Sequence, residues 1–298
     1  MESVGAPEDP AHDVYRDALT VLRESGLPSL VGGAFAFERY TGIARQTKDL
    51  DIFVRPEDSE RLLQSLAKAG YRTELRFPHW LGKAWKDDAS IDVIFSSGNG
   101  LCVVDDRWFR HAPLAVVLGV EVWLTPAEEM IWSKAFVMER NRYDGGDIAH
   151  LLRARGPTLD WARLLARFNR HWRVLFSHVV LFGYIYPEQR LRVPEWFMRE
   201  MLRRMEQDML GLPADRRVCQ GTLLSWSQYL IHMERGEYED ARHPPRGSLS
   251  RDDTQRMTDV LRQEQAEGEK QPESVDDSQD HTRQENHSYY DADEAHAA

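Results

Sequence analysis

Two aspartates separated by a single leucine stand at the start of a short apolar run, and this arrangement constrains the fold more than any other feature. The segment reads "DLDIFV" and begins at Asp49. Side chains of a β-strand alternate between two faces, so Asp49 and Asp51 share one face while Leu50 and Ile52 point to the other. The segment therefore predicts a strand that is buried on one face and carries two carboxylates on the other.

A third aspartate lies in a second strand-like segment, "SIDVIF", which places Asp92 among aliphatic residues. If the two strands are neighbours, Asp92 joins Asp49 and Asp51 on the same face, about 5 Å away. Carboxylates this close repel one another, and a divalent cation removes that penalty. Mg²⁺ prefers oxygen ligands and commonly takes one or two carboxylates together with substrate phosphates. The three aspartates predict a Mg²⁺ (or Mn²⁺) site with two ions about 4 Å apart.

A Gly-Gly pair precedes the aspartates, between the short apolar stretch "PSLV" and the helical stretch "AFAFERYTG". Bare backbone N–H groups at a helix N-terminus receive anions well, and glycine lets a phosphate approach closely. Gly32 and Gly33 therefore predict a phosphate-binding turn, although alone they would indicate an ordinary turn. Arg45 and Lys48 follow the helix and precede the aspartates. They either contact a triphosphate or form an exposed basic turn.

The order of these features resembles the DNA polymerase β-like nucleotidyltransferase superfamily over residues 27–95. The resemblance implies that Asp49, Asp51 and Asp92 bind two Mg²⁺ ions and that Gly32 and Gly33 contact the NTP donor. It implies transfer of a nucleoside monophosphate from the NTP to an acceptor hydroxyl, with release of pyrophosphate. Acceptors in the superfamily include tRNA ends and other RNA, proteins and small antibiotics. Fifteen residues separate Gly33 from Asp49, slightly more than in the shortest versions of the motif.

The segment "EEMIWSKAFVMERNRYDGGDIAHLL" is similar to the corresponding region of AbiEii-type bacterial nucleotidyltransferases. Lys134 matches a helical lysine of that family, and Arg142, Asp144 and Asp147 match a following Arg-Asp-x-x-Asp segment, with Tyr143 inserted. The resemblance implies that Lys134 contacts nucleotide phosphates and that Asp147 supports catalysis. It also implies a toxin–antitoxin or phage-defence component with a cognate antitoxin as partner. Without the resemblance, Lys134 would be a solvated lysine, and Asp144 is expected as a helix N-cap.

Strands and helices alternate to about residue 124, and helical patterns follow. We predict an α+β (mixed α/β) fold in which a small nucleotidyltransferase sheet with flanking helices, residues 1–124, precedes an all-helical domain, residues 125–245. Thr125 as N-cap and Pro126 at the first helical position predict a helix over 125–142. Further helices are predicted at about 144–155, 158–170, 171–185 and 194–208.

The end of the chain differs in composition from the rest. Residues 251–298 contain 14 acidic and 5 basic side chains, a net charge of −9 out of −11 for the chain. We predict a disordered acidic tail over residues 246–298. The remaining net charge of −2 is weak evidence on nucleic-acid binding in either direction. The absence of a signal peptide and of a long apolar run predicts a cytoplasmic protein without a membrane segment.

Two other interpretations stay open. The chain could be a catalytically silent nucleotidyltransferase-like module that binds a nucleotide or a partner protein. The presence of all three aspartates favours an enzyme, because a binding-only module has no physical need for all of them. The chain could also be a helical partner protein in which the pattern is accidental, and three dispersed carboxylates in a structure would establish that.

Overall fold

The computed structural model of the protein describes residues 11–211 and 217–268. Residues up to Gln255 belong to one compact unit, and Arg256 begins a second. The first part alternates strands and helices: α1 (Ala11–Ser25), β1 (Leu30–Val31), α2 (Gly33–Thr41), β2 (Asp49–Phe53), α3 (Ser59–Lys68), β3 (Arg72–Phe77), β4 (Leu81–Lys86), β5 (Ala89–Ile94), α4 (Asp106–Arg110), β6 (Leu114–Val117) and β7 (Val120–Trp123).

Helices dominate the remainder of the described chain. They are accompanied by two very short strands, in the order α5 (Ala127–Lys134), α6 (Gly145–Arg155), α7 (Trp161–Phe168), α8 (Trp172–Ile185), α9 (Glu195–Leu210), β8 (Val218–Cys219), α10 (Trp226–Glu234), β9 (Glu239–Asp240) and α11 (Arg251–Gly268). The mixed α+β class, a central sheet with flanking helices, is confirmed. One hydrophobic core extends through the sheet region and the helices after it, so the boundary at 124/125 stays a prediction.

A five-stranded sheet forms the centre, with strand order β1-β2-β5-β4-β3. Strands β2 and β5 are parallel, and the other neighbouring pairs are antiparallel. Leu50 and Ile52 of β2 and Ile91 and Val93 of β5 are buried, as the alternation predicts. Helix α3 packs against β3, β4 and β5. The sheet therefore has one apolar face, and the three aspartates lie on the other.

The helix predicted over 125–142 is shorter at both ends, and the assignment of Thr125 as its N-cap is wrong. Helix α5 begins at Ala127 with Pro126 as the capping residue. The Thr125 N–H donates to the Val31 carbonyl oxygen at 2.9 Å, so this backbone continues the edge of the sheet and cannot begin a helix. The helix ends at Lys134 because the chain then turns back, with Met138 pairing to Tyr143.

Helix α11 lies where the sequence predicts a disordered tail, so that prediction does not hold for residues 251–268. Ser250 and Asp253 form a capping box before the helix: the Asp253 N–H donates to Ser250 Oγ at 3.1 Å, and the Ser250 N–H donates to Asp253 Oδ2 at 3.0 Å. The amino-acid composition of the segment does not reveal this capping box. Residues 269–298 of the predicted tail lie outside the described residues.

Within the described ranges, no helix combines the length and the apolar character needed to cross a membrane. Cys102 and Cys219 are free thiols.

Candidate active site

The pairing of β2 with β5 brings the predicted aspartates together. Asp51 lies directly opposite Asp92, and Asp49 lies opposite Ser90 on the same parallel ladder. Residues opposite each other in neighbouring strands point to the same face, so all three carboxylates share the face opposite Leu50. The interpretation of the chain as a helical partner protein with dispersed carboxylates is therefore wrong. The catalytic and metal-binding roles of the three aspartates stay predictions.

The Gly-Gly turn packs directly against this face. Gly33 has φ +52°, and a Cβ atom at this position would overlap Oδ2 of Asp51. A Cβ atom on Gly32 would likewise overlap the Phe53 ring. The Gly32 N–H donates to the Asp51 carbonyl oxygen at 2.9 Å. The two glycines therefore let the start of α2 lie against the Asp51 carboxylate, a structural role that the sequence did not reveal. Phosphate binding by the pair stays a prediction.

Asp51 is partly buried, and its carboxylate makes no hydrogen bond or ion pair with the described residues. Burial raises the pKa of Asp51 from 3.8 to about 7, and the negative charges of Asp92 and Asp49 act in the same direction. The positive charges of Lys134 and Arg142 oppose this rise. The Asp51 carboxylate is therefore insufficiently compensated by the protein itself.

Asp92, in contrast, has a cation beside it. Lys83 lies opposite Asp92 on the antiparallel neighbour β4, and its Nζ is 2.7 Å from Asp92 Oδ1. Burial still raises the pKa of Asp92, although Lys83 acts to lower it. Sequence reasoning missed Lys83 because "LGKAWK" was not recognised as a strand.

The three aspartates fit a divalent metal ion only in part. In the part of the chain that the structure describes, no group of three His, Cys, Asp or Glu side chains is arranged to hold a metal ion. Asp49, like Asp51, has a carboxylate without an ion pair to the described residues, so these two offer the oxygen ligands that Mg²⁺ prefers. The third aspartate is already engaged by Lys83. Two of the three predicted ligands therefore fit a metal as they stand.

A second charged cluster joins the end of α5 to the start of α6. Lys134 Nζ lies 3.2 Å from Asp144 Oδ2 and 2.9 Å from Asp147 Oδ2. Arg45 also pairs with Asp147, and Arg142 Nε lies 3.3 Å from Asp144 Oδ1. The positive charges of Lys134 and Arg142 act to lower the pKa of Asp51, so this cluster is electrostatically coupled to the three aspartates.

Asp144 occupies the N-cap position of α6, as predicted, but its side chain makes no capping hydrogen bond. Burial opposes ionisation of this carboxyl, yet the charges of Lys134 and Arg142 lower its pKa. Lys134 and Asp144 are both mostly buried, so Lys134 is not the solvated lysine of the alternative interpretation. Lys48 makes no side-chain hydrogen bond or ion pair within the described residues, and its role stays a prediction.

A protein family described as uncharacterised nucleotidyltransferases matches residues 15–181, more than half of the chain. The chain belongs to this nucleotidyltransferase family. The matched region contains the sheet, the three aspartates, Lys134 and Asp147. No curated protein matches the chain. The relationship to AbiEii-type proteins stays a prediction.

Solved structures similar to this nucleotidyltransferase include ANT(2'')-Ia in complex with adenylyl-2''-tobramycin, at 16% identity and a TM-score of 0.38, covering 60% of this chain and 99% of that one. The lincomycin-bound lincosamide antibiotic adenylyltransferase LnuA has 16% identity and a TM-score of 0.35, covering 48% and 96%. JHP933 from Helicobacter pylori has 14% identity and a TM-score of 0.36, covering 68% and 98%.

Proposed function

We propose that this nucleotidyltransferase moves a nucleoside monophosphate from an NTP donor to a hydroxyl group of an acceptor and releases pyrophosphate. The observation that carries the proposal is the register of Asp51 and Asp92 on parallel neighbouring strands. The Asp51 carboxylate has no cation partner among the described residues and lies against the Gly33 turn. These features support a site in which carboxylates would hold a metal ion and accept a proton beside a helix N-terminus.

Mg²⁺ or Mn²⁺ fits Asp49 and Asp51, because both carboxylates share a face and neither is neutralised by an ion pair within the described chain. When bound, the metal ion neutralises negative charge on the triphosphate. Occupancy of this position would also favour the ionised form of Asp51, whose pKa burial raises to about 7.

The transfer itself needs a base and a good leaving group. The acceptor hydroxyl oxygen forms a bond to the α-phosphorus, and the bond from the α-phosphorus to the oxygen bridging the α- and β-phosphates breaks. Pyrophosphate leaves with that electron pair, and Asp92 accepts the hydroxyl proton. Burial raises the pKa of Asp92, which makes this carboxylate a better proton acceptor than an exposed one.

The surrounding residues would hold the donor. We assign Lys134, together with Arg45 and Lys48, to the triphosphate, because cations beside a triphosphate would offset its developing negative charge. Asp147 contacts both Lys134 and Arg45, and it would hold these two side chains in position. The backbone N–H groups at the Gly32–Gly33 turn would receive a phosphate oxygen.

The proposal is tested by incubating the purified protein with α-labelled ATP, GTP, CTP or UTP and Mg²⁺ or Mn²⁺. Acceptors are offered as total RNA including tRNA, a protein extract, a metabolite extract, tobramycin and lincomycin. The matched comparison is Asp51→Asn, which removes the charge and retains the shape. Label that enters one fraction with the parent and not with the variant supports the proposal and names the acceptor class.

Binding of labelled NTP without transfer to any acceptor would instead support the silent binding module.

The toxin and antitoxin relationship that the AbiEii resemblance implies has its own test. Expression of the parent in bacteria should arrest growth while Asp51→Asn does not, and a co-expressed antitoxin should restore growth. Equal growth with both chains would refute the toxin role and leave the transferase proposal to the labelling result.

A further inference from the structure

We propose that the Lys83 ammonium takes the place of a second divalent cation beside Asp92, so that the site binds one metal ion, at Asp49 and Asp51. The inference rests on the proposed metal-dependent function. It departs from the two-ion arrangement that the three aspartates by themselves would predict.

The position of Lys83 is fixed by the sheet. Strand β4 pairs with β5 without a register shift, and the ladder sets Lys83 opposite Asp92. Cross-strand residues on one face have Cβ atoms about 5 Å apart, within reach of a lysine side chain. Nζ of Lys83 is 2.7 Å from Oδ1 of Asp92. Backbone pairing on both sides of β5 therefore places this ammonium on the same face as the metal ligands.

The pair is also partly shielded from water. The Lys83 side chain is 25% exposed and the Asp92 side chain 17%. Lys86, three residues further along β4, forms a second pair with Asp17, and these side chains are 37% and 46% exposed. An odd spacing along a strand places Lys83 and Lys86 on opposite faces. Lys86 therefore provides a matched lysine in the same strand, paired to an aspartate away from the site.

The charges around the three aspartates are unequal as a result. Asp49 and Asp51 have no ion pair with described residues, whereas Asp92 already has a cation at hydrogen-bond distance. A divalent ion bound to Asp92 would have to displace Lys83 or lie against its positive charge, and like charges in a partly buried site repel strongly.

The inference is tested with Mn²⁺ alone, without nucleotide. Binding to the full chain is followed by the loss of the free Mn²⁺ signal in electron paramagnetic resonance. The parent is compared with Lys83→Met, Lys83→Gln and the control Lys86→Met. Circular dichroism verifies that each variant is folded. If Lys83→Met does not fold, the comparison uses Lys83→Gln, because Gln retains a hydrogen-bond donor for Asp92.

We expect the Lys83 variants to bind one more equivalent of Mn²⁺ than the parent, while Lys86→Met binds the same number. Adding Asp92→Asn to the Lys83 variant should remove the extra equivalent. Equal binding by the parent and the Lys83 variants, or two equivalents in the parent, would overturn the inference. Asp51→Asn tests the underlying metal site separately: retention of the parent's Mn²⁺ in this variant would refute the metal site of the proposed function.

Discussion

Replacing Asp51 by Asn should stabilise the metal-free protein at neutral and alkaline pH, although it removes a residue of the proposed site. The Asp51 carboxylate is partly buried, lies against the Gly33 turn and has no hydrogen-bond or ion-pair partner within the described chain. The folded state therefore carries the free-energy cost of an ionised, poorly compensated carboxylate. Asn has nearly the same shape, so the change removes the charge without creating a cavity.

The magnitude and the pH window follow from the pKa of Asp51, which burial raises from 3.8 to about 7. Below about pH 4 the carboxyl is protonated in both the folded and the unfolded chain, so the charge has no effect on stability. As the pH rises to about 7, the unfolded chain ionises first, and the folded state loses relative stability. At 1.36 kcal/mol per pH unit the upper bound is about 4 kcal/mol. Water near the partly exposed side chain reduces this, and we expect about 1 to 3 kcal/mol.

The assay is urea unfolding at pH 5 and pH 8.5 in EDTA, followed by circular dichroism. The matched control is Asp88→Asn, an exposed aspartate in the turn between β4 and β5. Asp51→Asn should be more stable than the parent at pH 8.5 and closer to it at pH 5, while the control stays within about 0.5 kcal/mol. Mg²⁺ in place of EDTA should raise the stability of the parent and not that of Asp51→Asn. Equal stability of Asp51→Asn and the parent at pH 8.5 would refute the reasoning.

Two further predictions concern the residues around the aspartates. Gly33→Ala should lower the free energy of unfolding by about 2 kcal/mol or more, because it combines a positive φ with atomic overlap, and should abolish nucleotidyl transfer. Gly42 has a similar φ and open space around it, so Gly42→Ala should lower the free energy of unfolding, measured with urea, by about 1 kcal/mol. Equal losses of stability in the two variants would show that the chain relieves the overlap at Gly33. Lys134→Met should lower the free energy of unfolding by about 2 to 3 kcal/mol, because it leaves mostly buried carboxylates such as Asp147 without their cation. Lys68→Met, an exposed lysine in the last turn of α3, is its control, and equal unfolding midpoints for these two variants would contradict the buried pairing.

The face shared by the aspartates could be predicted from the sequence because a strand has a period of two residues. That rule places Asp49 and Asp51 together without knowledge of the rest of the sheet, and the apolar neighbours of Asp92 indicate a second buried strand. The rule does not state which strands are neighbours. Strand β4 has the sequence "LGKAWK", with a glycine and two lysines that weaken any strand pattern. Lys83 was therefore missed, although it contacts one of the predicted residues.

The cluster around Lys134 shows a different limit. The local pattern identifies Asp144 as an N-cap, and its position before α6 agrees with this. The preference of aspartate for this position reflects only local hydrogen bonds from nearby backbone N–H groups to its side chain. In the folded chain Lys134 and Arg142 offer this carboxylate stronger, charged donors. The local rule places the residue correctly but does not give the partners of its side chain, because tertiary contacts bring two cations to this carboxylate.

The Gly-Gly turn separates what a motif can say from what a structure adds. In the sequence, two missing side chains before a helix indicate that something approaches the backbone closely, and a phosphate is one candidate. In the fold, the Asp51 carboxylate lies where the Gly33 Cβ would be, and the Phe53 ring lies where the Gly32 Cβ would be. Both glycines are therefore required before any substrate binds. It follows that loss of transfer in a Gly33 variant cannot by itself identify a phosphate contact, because the same change displaces a carboxylate that the proposed metal site needs.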